Sequence, residues 1–137
     1  MKLDQILAVS GLPGLYTVVT ERKNGLIVEA LDTKKRRFAP MRKHQFAPLE
    51  SMAVYTDDGE AEPLTVIFQR MLDQAEDNPA PEASANKDDL FEYLSDILPN
   101  YDEDRVHASD IKRLLKWFHF IDGNKLWDMT ADTQEEE

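Results

Sequence analysis

The chain has 137 residues and carries 16 Lys and Arg against 27 Asp and Glu, a formal charge of −11 at pH 7. At roughly 100–200 residues per domain, that length allows one compact domain or two small ones. The absence of cysteine excludes disulfides, thiolate nucleophiles and Cys-ligated metal sites together. The longest apolar runs, such as Gly25-Leu26-Ile27-Val28, fall far short of the roughly 20 residues that cross a bilayer. Met1-Lys2-Leu3-Asp4-Gln5-Ile6 lacks the apolar stretch and small-residue cleavage site of a leader, so a cytoplasmic location is expected.

In chain order, Leu3, Ile6 and Leu7 are expected to form one helical turn, and Gly11-Leu12-Pro13-Gly14 a turn. Leu15–Thr20 and Leu26–Leu31 are rich in β-branched and aromatic residues and flank Asn24-Gly25. Asn-Gly tolerates the positive φ angles of a type I′ turn, so these runs predict a hairpin. Further short strands are expected around Arg37–Met41, Gln45–Leu49 and Met52–Tyr55. So many short antiparallel strands suggest a small closed SH3-like barrel, because closure hides edges that would pair with other chains. Pro63 suits the first position of a helix reaching about Asp77, with Leu64, Ile67, Phe68, Met71 and Leu72 forming one apolar stripe that packs on the barrel.

Residues 78–86, Asn78-Pro79-Ala80-Pro81-Glu82-Ala83-Ser84-Ala85-Asn86, hold no large apolar residue and read as a semi-extended linker. Asn86 can cap a helix from Lys87 to Leu98 with a face of Leu90, Phe91, Leu94, Ile97 and Leu98. Ser109 can cap another, Asp110 to about Ile121, with Ile111, Leu114, Leu115 and Phe118 inward. Leu126 and Trp127 then fold back, and 129–137 reads as a disordered acidic tail. The fold class is therefore α+β: an antiparallel SH3-like barrel with a packed helix (1–77), a linker (78–86), a helical hairpin module (87–128) and the tail.

The charge is unevenly placed: residues 1–56 carry nine basic and five acidic residues, a net +4, and 57–137 carry seven and 22, a net −15. Such asymmetry bears on partners rather than on fold. Lys34-Lys35-Arg36-Arg37, Arg42, Lys43 and His44 form the sharpest feature, and one surface of six cations would bind nucleic acid with steep salt dependence. The competing reading is a solvated hairpin, or a dock for the protein's own acidic half, because the total field repels polyanions. Phe38 and Phe46 interleave these cations, and core is their expected role.

Asp102-Glu103-Asp104 fails the calcium-loop pattern, because Arg105 occupies the required glycine and Ile111 the required glutamate. Salt bridging by Arg105 is the simpler account of these acids, and a site built from Asp102, His107 and Asp110 lacks a second histidine. Nothing nominates a catalytic set among His44, His107 and His119, and no phosphate-binding glycine loop or nucleophile elbow occurs. Lys112, Lys116 and His119 share a helix face that suits a solvated surface better than a recognition helix, since residues 87–121 are net negative. Trp117, Phe118, Phe120, Ile121 and Trp127 hold more apolar area than two helices can cover, which calls for the barrel, a dimer mate or another protein.

The wording Ser10-Gly11-Leu12-Pro13-Gly14-Leu15-Tyr16, Gly25–Leu31, Leu49-Glu50 and Ala53-Val54-Tyr55-Thr56, with Leu98-Pro99-Asn100-Tyr101-Asp102-Glu103-Asp104-Arg105-Val106, Ser109-Asp110-Ile111-Lys112 and Trp117, resembles a family of small bacterial proteins described only as a domain of unknown function. The resemblance implies a bacterial cytosolic protein of two modules and implies no activity.

The function expected from these readings is a non-enzymatic adaptor or regulator, with no cofactor and no metal. It would dock a protein partner, or a second copy, through Trp117, Phe120 and Trp127. The alternative is RNA or DNA binding through Lys34, Lys35, Arg36, Arg37, Arg42 and Lys43.

Overall fold

The computed structural model describes residues 1–130; most of the expected acidic tail lies outside them. Strands β1 (Leu7–Val9), β2 (Tyr16–Arg22), β3 (Gly25–Ala30), β4 (Arg36–Pro40) and β5 (Phe46–Pro48) form one antiparallel sheet in the order β4-β3-β2-β1-β5. A 3-10 turn, Leu49–Ser51, leads to the hairpin β6 (Ala53–Tyr55) and β7 (Ala61–Pro63). Helices α1 (Leu64–Asp73), α2 (Lys87–Ile97) and α3 (Ala108–Gly123) follow, then a 3-10 turn, Trp127–Thr130. The molecule is thus α+β. No pairing joins β4 to β5 among the described residues, so the sheet is open, with these two strands as its edges.

The β2–β3 hairpin forms, but its turn differs from the expected one. Arg22 pairs with Gly25, which leaves Lys23-Asn24 as the loop, and a register shift between Val18 and Thr20 marks a bulge. The only residues with positive φ among those described are Lys34, Lys125, Gly11, Gly14 and Gly59, so a type I′ turn at Asn24-Gly25 is ruled out. Gly25 serves close packing instead: a Cβ there would meet the Ala39 carbonyl oxygen and lie 2.8 Å from Pro40 Cα. Leu7, placed by its spacing in a helical turn, enters β1, where it pairs with both Tyr16 and Pro48. Three residues are too few for an alternation to register against a helical one.

The helices follow their apolar stripes. Leu64, Ile67, Phe68 and Met71 are buried on α1, although the helix stops at Asp73, short of Asp77. Asn86 Oδ1 accepts from the Asp89 N–H at 2.9 Å, capping α2. On α3 the cap is His107 rather than Ser109: its N–H donates to Asp110 Oδ2 at 2.9 Å, with Asp110 at the third helical position.

One core cluster runs through both halves. Leu3, Ile6, Leu15, Leu31 and Leu49 from the sheet side are buried with Phe68, Leu90, Leu94, Leu115, Phe118 and Ile121 from the helices. A smaller cluster of Leu7, Val9, Tyr16, Val28 and Ala39 fills the sheet itself. The 78–86 segment is tied down: Ala80, Ala83 and Ala85 pack on the main core, and His119 Nε2 lies 2.8 Å from the Pro81 carbonyl oxygen. Met129 and Thr130, assigned by sequence to the tail, lie in the last 3-10 turn, where the Lys2 N–H donates to the Thr130 carbonyl at 2.7 Å.

Tyr93 on α2 is 6% exposed, and its hydroxyl has no hydrogen-bond partner among the described residues. Burial, with the nearby Asp96 charge adding to it, pushes this phenol up to about 12 from its ordinary 10. A raised folded-state value means that stability holds below pH 10 and falls as the pH rises from 10 towards 12. Tyr93→Phe removes an unsatisfied hydroxyl, so it is expected to leave neutral-pH stability unchanged or raise it by up to about 1 kcal/mol, and to flatten the loss above pH 10. Denaturant titrations of both proteins across that range check this; a large loss at neutral pH would contradict it.

Candidate docking groove at the junction of the two halves

The aromatic residues of α3 and its C-terminal extension divide into those that join the halves and one that borders a groove. Trp127 turns inward, its ring centroid 5.3 Å from Phe118 and 5.9 Å from Phe68, while its Nε1–H donates to Asp122 Oδ1 at 2.9 Å. Phe68 and Phe118 meet edge to face at 5.9 Å, which closes the triangle. Such pairs contribute about 0.5–1.5 kcal/mol each beyond their buried area. Trp127 is partly buried and packs against the core through these rings. Phe120 is likewise engaged: its ring covers Gly14 so closely that a Cβ there would sit 2.8 Å from Phe120 Cε2. Gly14 also has φ +78, so the turn between β1 and β2 needs glycine twice over.

Trp117 is partly buried and lines two adjoining depressions. One, of about 110 Å³, lies among Met52, Tyr55, Arg105, Val106, Asp110 and Leu114, around β6, the loop into α3 and α3 itself. The other, of about 520 Å³, lies against Val9 and Ala47 of the sheet and Ser10, Leu12 and Gln45 of the loops beside them. Met52, Arg113 and Trp117 border both, which makes one groove across the junction. Its cations are held in place. The Arg105 guanidinium stacks 4.1 Å above the Tyr55 ring and its Nε donates to Asp102 Oδ2 at 3.3 Å, while Arg113 reaches Asp110 at 3.5 Å.

The loop carrying Arg105 is fastened to β6. The Asp102 N–H donates to the Tyr55 carbonyl at 2.9 Å, and Thr56 bridges to Tyr101. The Asp104 N–H, followed by Arg105, holds the Asp102 carboxyl below the usual carboxylate range. At the β6–β7 turn the Thr56 hydroxyl and then the Glu60 N–H do the same for Asp58. The Arg105–Asp102 pairing is the one expected from sequence. The contribution of Tyr55 and Met52 was not legible there, because only the fold brings β6 beside the start of α3.

The six cations near position 40 are all exposed. Lys34 and Lys35 sit in the β3–β4 turn, Arg36 and Arg37 open β4, and Arg42 and Lys43 lie in the turn beyond it. The strand's five residues separate the two groups by roughly 16 Å at about 3.3 Å per residue. Among the described residues only Arg36 of the six forms an ion pair, to Glu29 on β3 at 2.9 Å. Phe46 packs at the edge of the sheet's core as expected, but Phe38 does not: it is 43% exposed.

Residues 52–121 match the model of a domain of unknown function (DUF6852), and residues 3–49 match that of a second (DUF5606). The chain therefore belongs to the DUF6852 family, joined here to a DUF5606 unit. It is also similar to a protein from Bacteroides vulgatus whose solution NMR structure was determined as a structural-genomics target. The two share 38% identity at a TM-score of 0.71, over 90% of this chain and 88% of that one. No curated protein matches it. The two matched segments meet near the 3-10 turn Leu49–Ser51, so β6, β7 and α1 fall with the helical unit rather than with the sheet. Among the described residues no helix is long and apolar enough to cross a membrane.

Both Gly14→Ala and Gly11→Ala force an alanine into positive φ, at a cost of about 1–2 kcal/mol. At Gly11 the nearest side-chain atom to a new Cβ is His44 Nδ1, at 3.6 Å. At Gly14 the Phe120 ring must also move, and overpacking adds about 1–3 kcal/mol. Denaturant midpoints are expected to rank wild type, Gly11→Ala, then Gly14→Ala; equal losses would mean that Phe120 does not clamp the halves.

Proposed function

We propose that the protein is a non-enzymatic adaptor that takes up a segment of another protein in the groove between β6, the sheet and α3. The observation that carries this reading is the placement of Trp117, partly buried where the two depressions meet and flanked by Arg105 and Arg113. A large ring at the centre of a concave surface, with charges at the rim, suits an anchor residue. The chemistry of the groove is that of recognition. Tyr55, Met52 and Trp117 offer apolar area, and Arg113, whose side chain is 53% exposed, can exchange Asp110 for a partner's carboxylate. The occupant is accordingly a peptide segment with an apolar side chain next to an acid.

The sheet is read, within the same proposal, as an SH3-like partial barrel. Its support is the strand order, in which β5 returns beside β1 after the β2–β3–β4 meander, and the small core of Leu7, Val9, Tyr16, Val28 and Ala39 on the sheet. Docking through Phe120 and Trp127 is not part of the proposal, since both are occupied within the molecule.

Trp117→Ala and Arg113→Glu are expected to lose a protein that copurifies stoichiometrically with the wild-type chain, or to dissolve a self-associated form, while the fold persists. Quantitative mass spectrometry of affinity-purified protein, with light scattering for mass, reads both. Identical partners and mass for wild type and variants would overturn the groove as the docking site.

A further inference from the structure

The outer end of the sheet carries a second surface, distinct from the junction groove. Phe38 projects from β4 with 43% of its surface exposed, although β4 pairs along its whole length with β3. The ring borders two depressions. On one side lie Tyr16, Thr33, Lys35, Arg36 and Arg37; on the other lie Asn24, Pro40, Met41 and Arg42. An exposed aromatic ring is therefore bracketed by cations at both ends of one edge strand. Its outward position has a structural cause: Ala39, opposite Leu26, is the fully buried residue of β4, so its neighbour Phe38 points away from the core.

We propose that this edge of the sheet binds single-stranded nucleic acid, with a base stacked on Phe38 and the backbone phosphates on the cations to either side. Stacking on an aromatic platform combined with a flanking cationic track is how sequence-tolerant single-strand binders work. A duplex keeps its bases stacked on each other and offers Phe38 no free face. Charge confines the contact: residues 1–56 are net +4 and the remainder net −15, so a strand extending towards the helical half meets repulsion. The bound stretch is short, of the order of the roughly 16 Å spanned by β4. Because Arg36 is paired with Glu29 and Arg37 shares the face of Ala39, Lys34, Lys35, Arg42 and Lys43 are the phosphate contacts. Four such contacts to a single strand give a slope of log K against log salt of about −2.8.

The test is fluorescence anisotropy of a labelled 15-nucleotide oligo-dT with the full chain across a salt series. The corresponding duplex and anionic phosphatidylserine vesicles serve as competitors. The oligonucleotide is expected to bind at low salt, more tightly than the duplex, with the stated slope. Phe38→Ala is expected to weaken binding about tenfold or more without lowering the melting temperature, because the ring is exposed. Lys35→Glu with Arg42→Glu is expected to abolish binding, and Trp117→Ala to leave it unchanged, which separates this site from the junction groove. No binding at low salt overturns the proposal. So does equal affinity for the duplex with Phe38→Ala silent, or displacement by vesicles at concentrations where duplex has no effect.

Discussion

The burial of one aromatic triangle, Phe68, Phe118 and Trp127, holds the molecule together. Phe68 comes from α1, Phe118 from α3 and Trp127 from the extension that follows. Phe120, two residues beyond Phe118 on α3, presses on Gly14 in the first turn of the sheet. All three rings of the triangle lie on the helical side, and Leu3, Ile6, Leu15, Leu31 and Leu49 from the sheet side are buried in the same cluster as Phe68 and Phe118. A unit of about 50 residues, such as the sheet half, buries a small share of its surface and is marginal by itself, and a shared core adds to what it buries. The 78–86 segment then behaves as a strap along the shared core, held by three alanines and the His119 contact to Pro81.

The same constraint explains where recognition surfaces can exist. Phe120 and Trp127 spend part of their surface on contacts inside the molecule, whereas Trp117 lies at the seam and Phe38 at the far edge of the sheet. The seam is built by two elements distant in sequence, β6 and the start of α3, and its arginines are already oriented by Tyr55, Asp102 and Asp110. Groups ordered before a partner arrives lose less freedom on binding. At the other end, the charges of β4 serve a second purpose: Arg36, Arg37 and Pro40 are residue types that discourage pairing of an exposed sheet edge with another chain. Pro48 does the same for β5.

Much of this architecture is legible in the residues themselves. The apolar stripes of all three helices, the Asn86 cap, the β2–β3 hairpin and the Arg105–Asp102 pair follow from spacing and local chemistry. What is not legible has identifiable physical causes. Three-residue strands such as β1 carry too little periodicity to compete with a helical reading. In β4 both alternating sets, Arg36-Phe38-Pro40 and Arg37-Ala39, contain an arginine, so pattern alone could not decide which faced inward. Burial of Ala39 in the sheet's small core, a matter of tertiary packing, settles it. Trp127 looks like surplus apolar area until α1, from the other side of the 78–86 segment, supplies Phe68.

Amide hydrogen exchange, followed by NMR through a guanidinium titration, tests the shared core most directly by comparing Val28 on β3 with Leu115 on α3. If both halves depend on the same aromatic triangle, the two amides exchange through one global opening, with the same free energy and the same denaturant slope. Exchange of Val28 through a separate opening of lower energy, while Leu115 stays protected, would show two independent folding units and contradict the account.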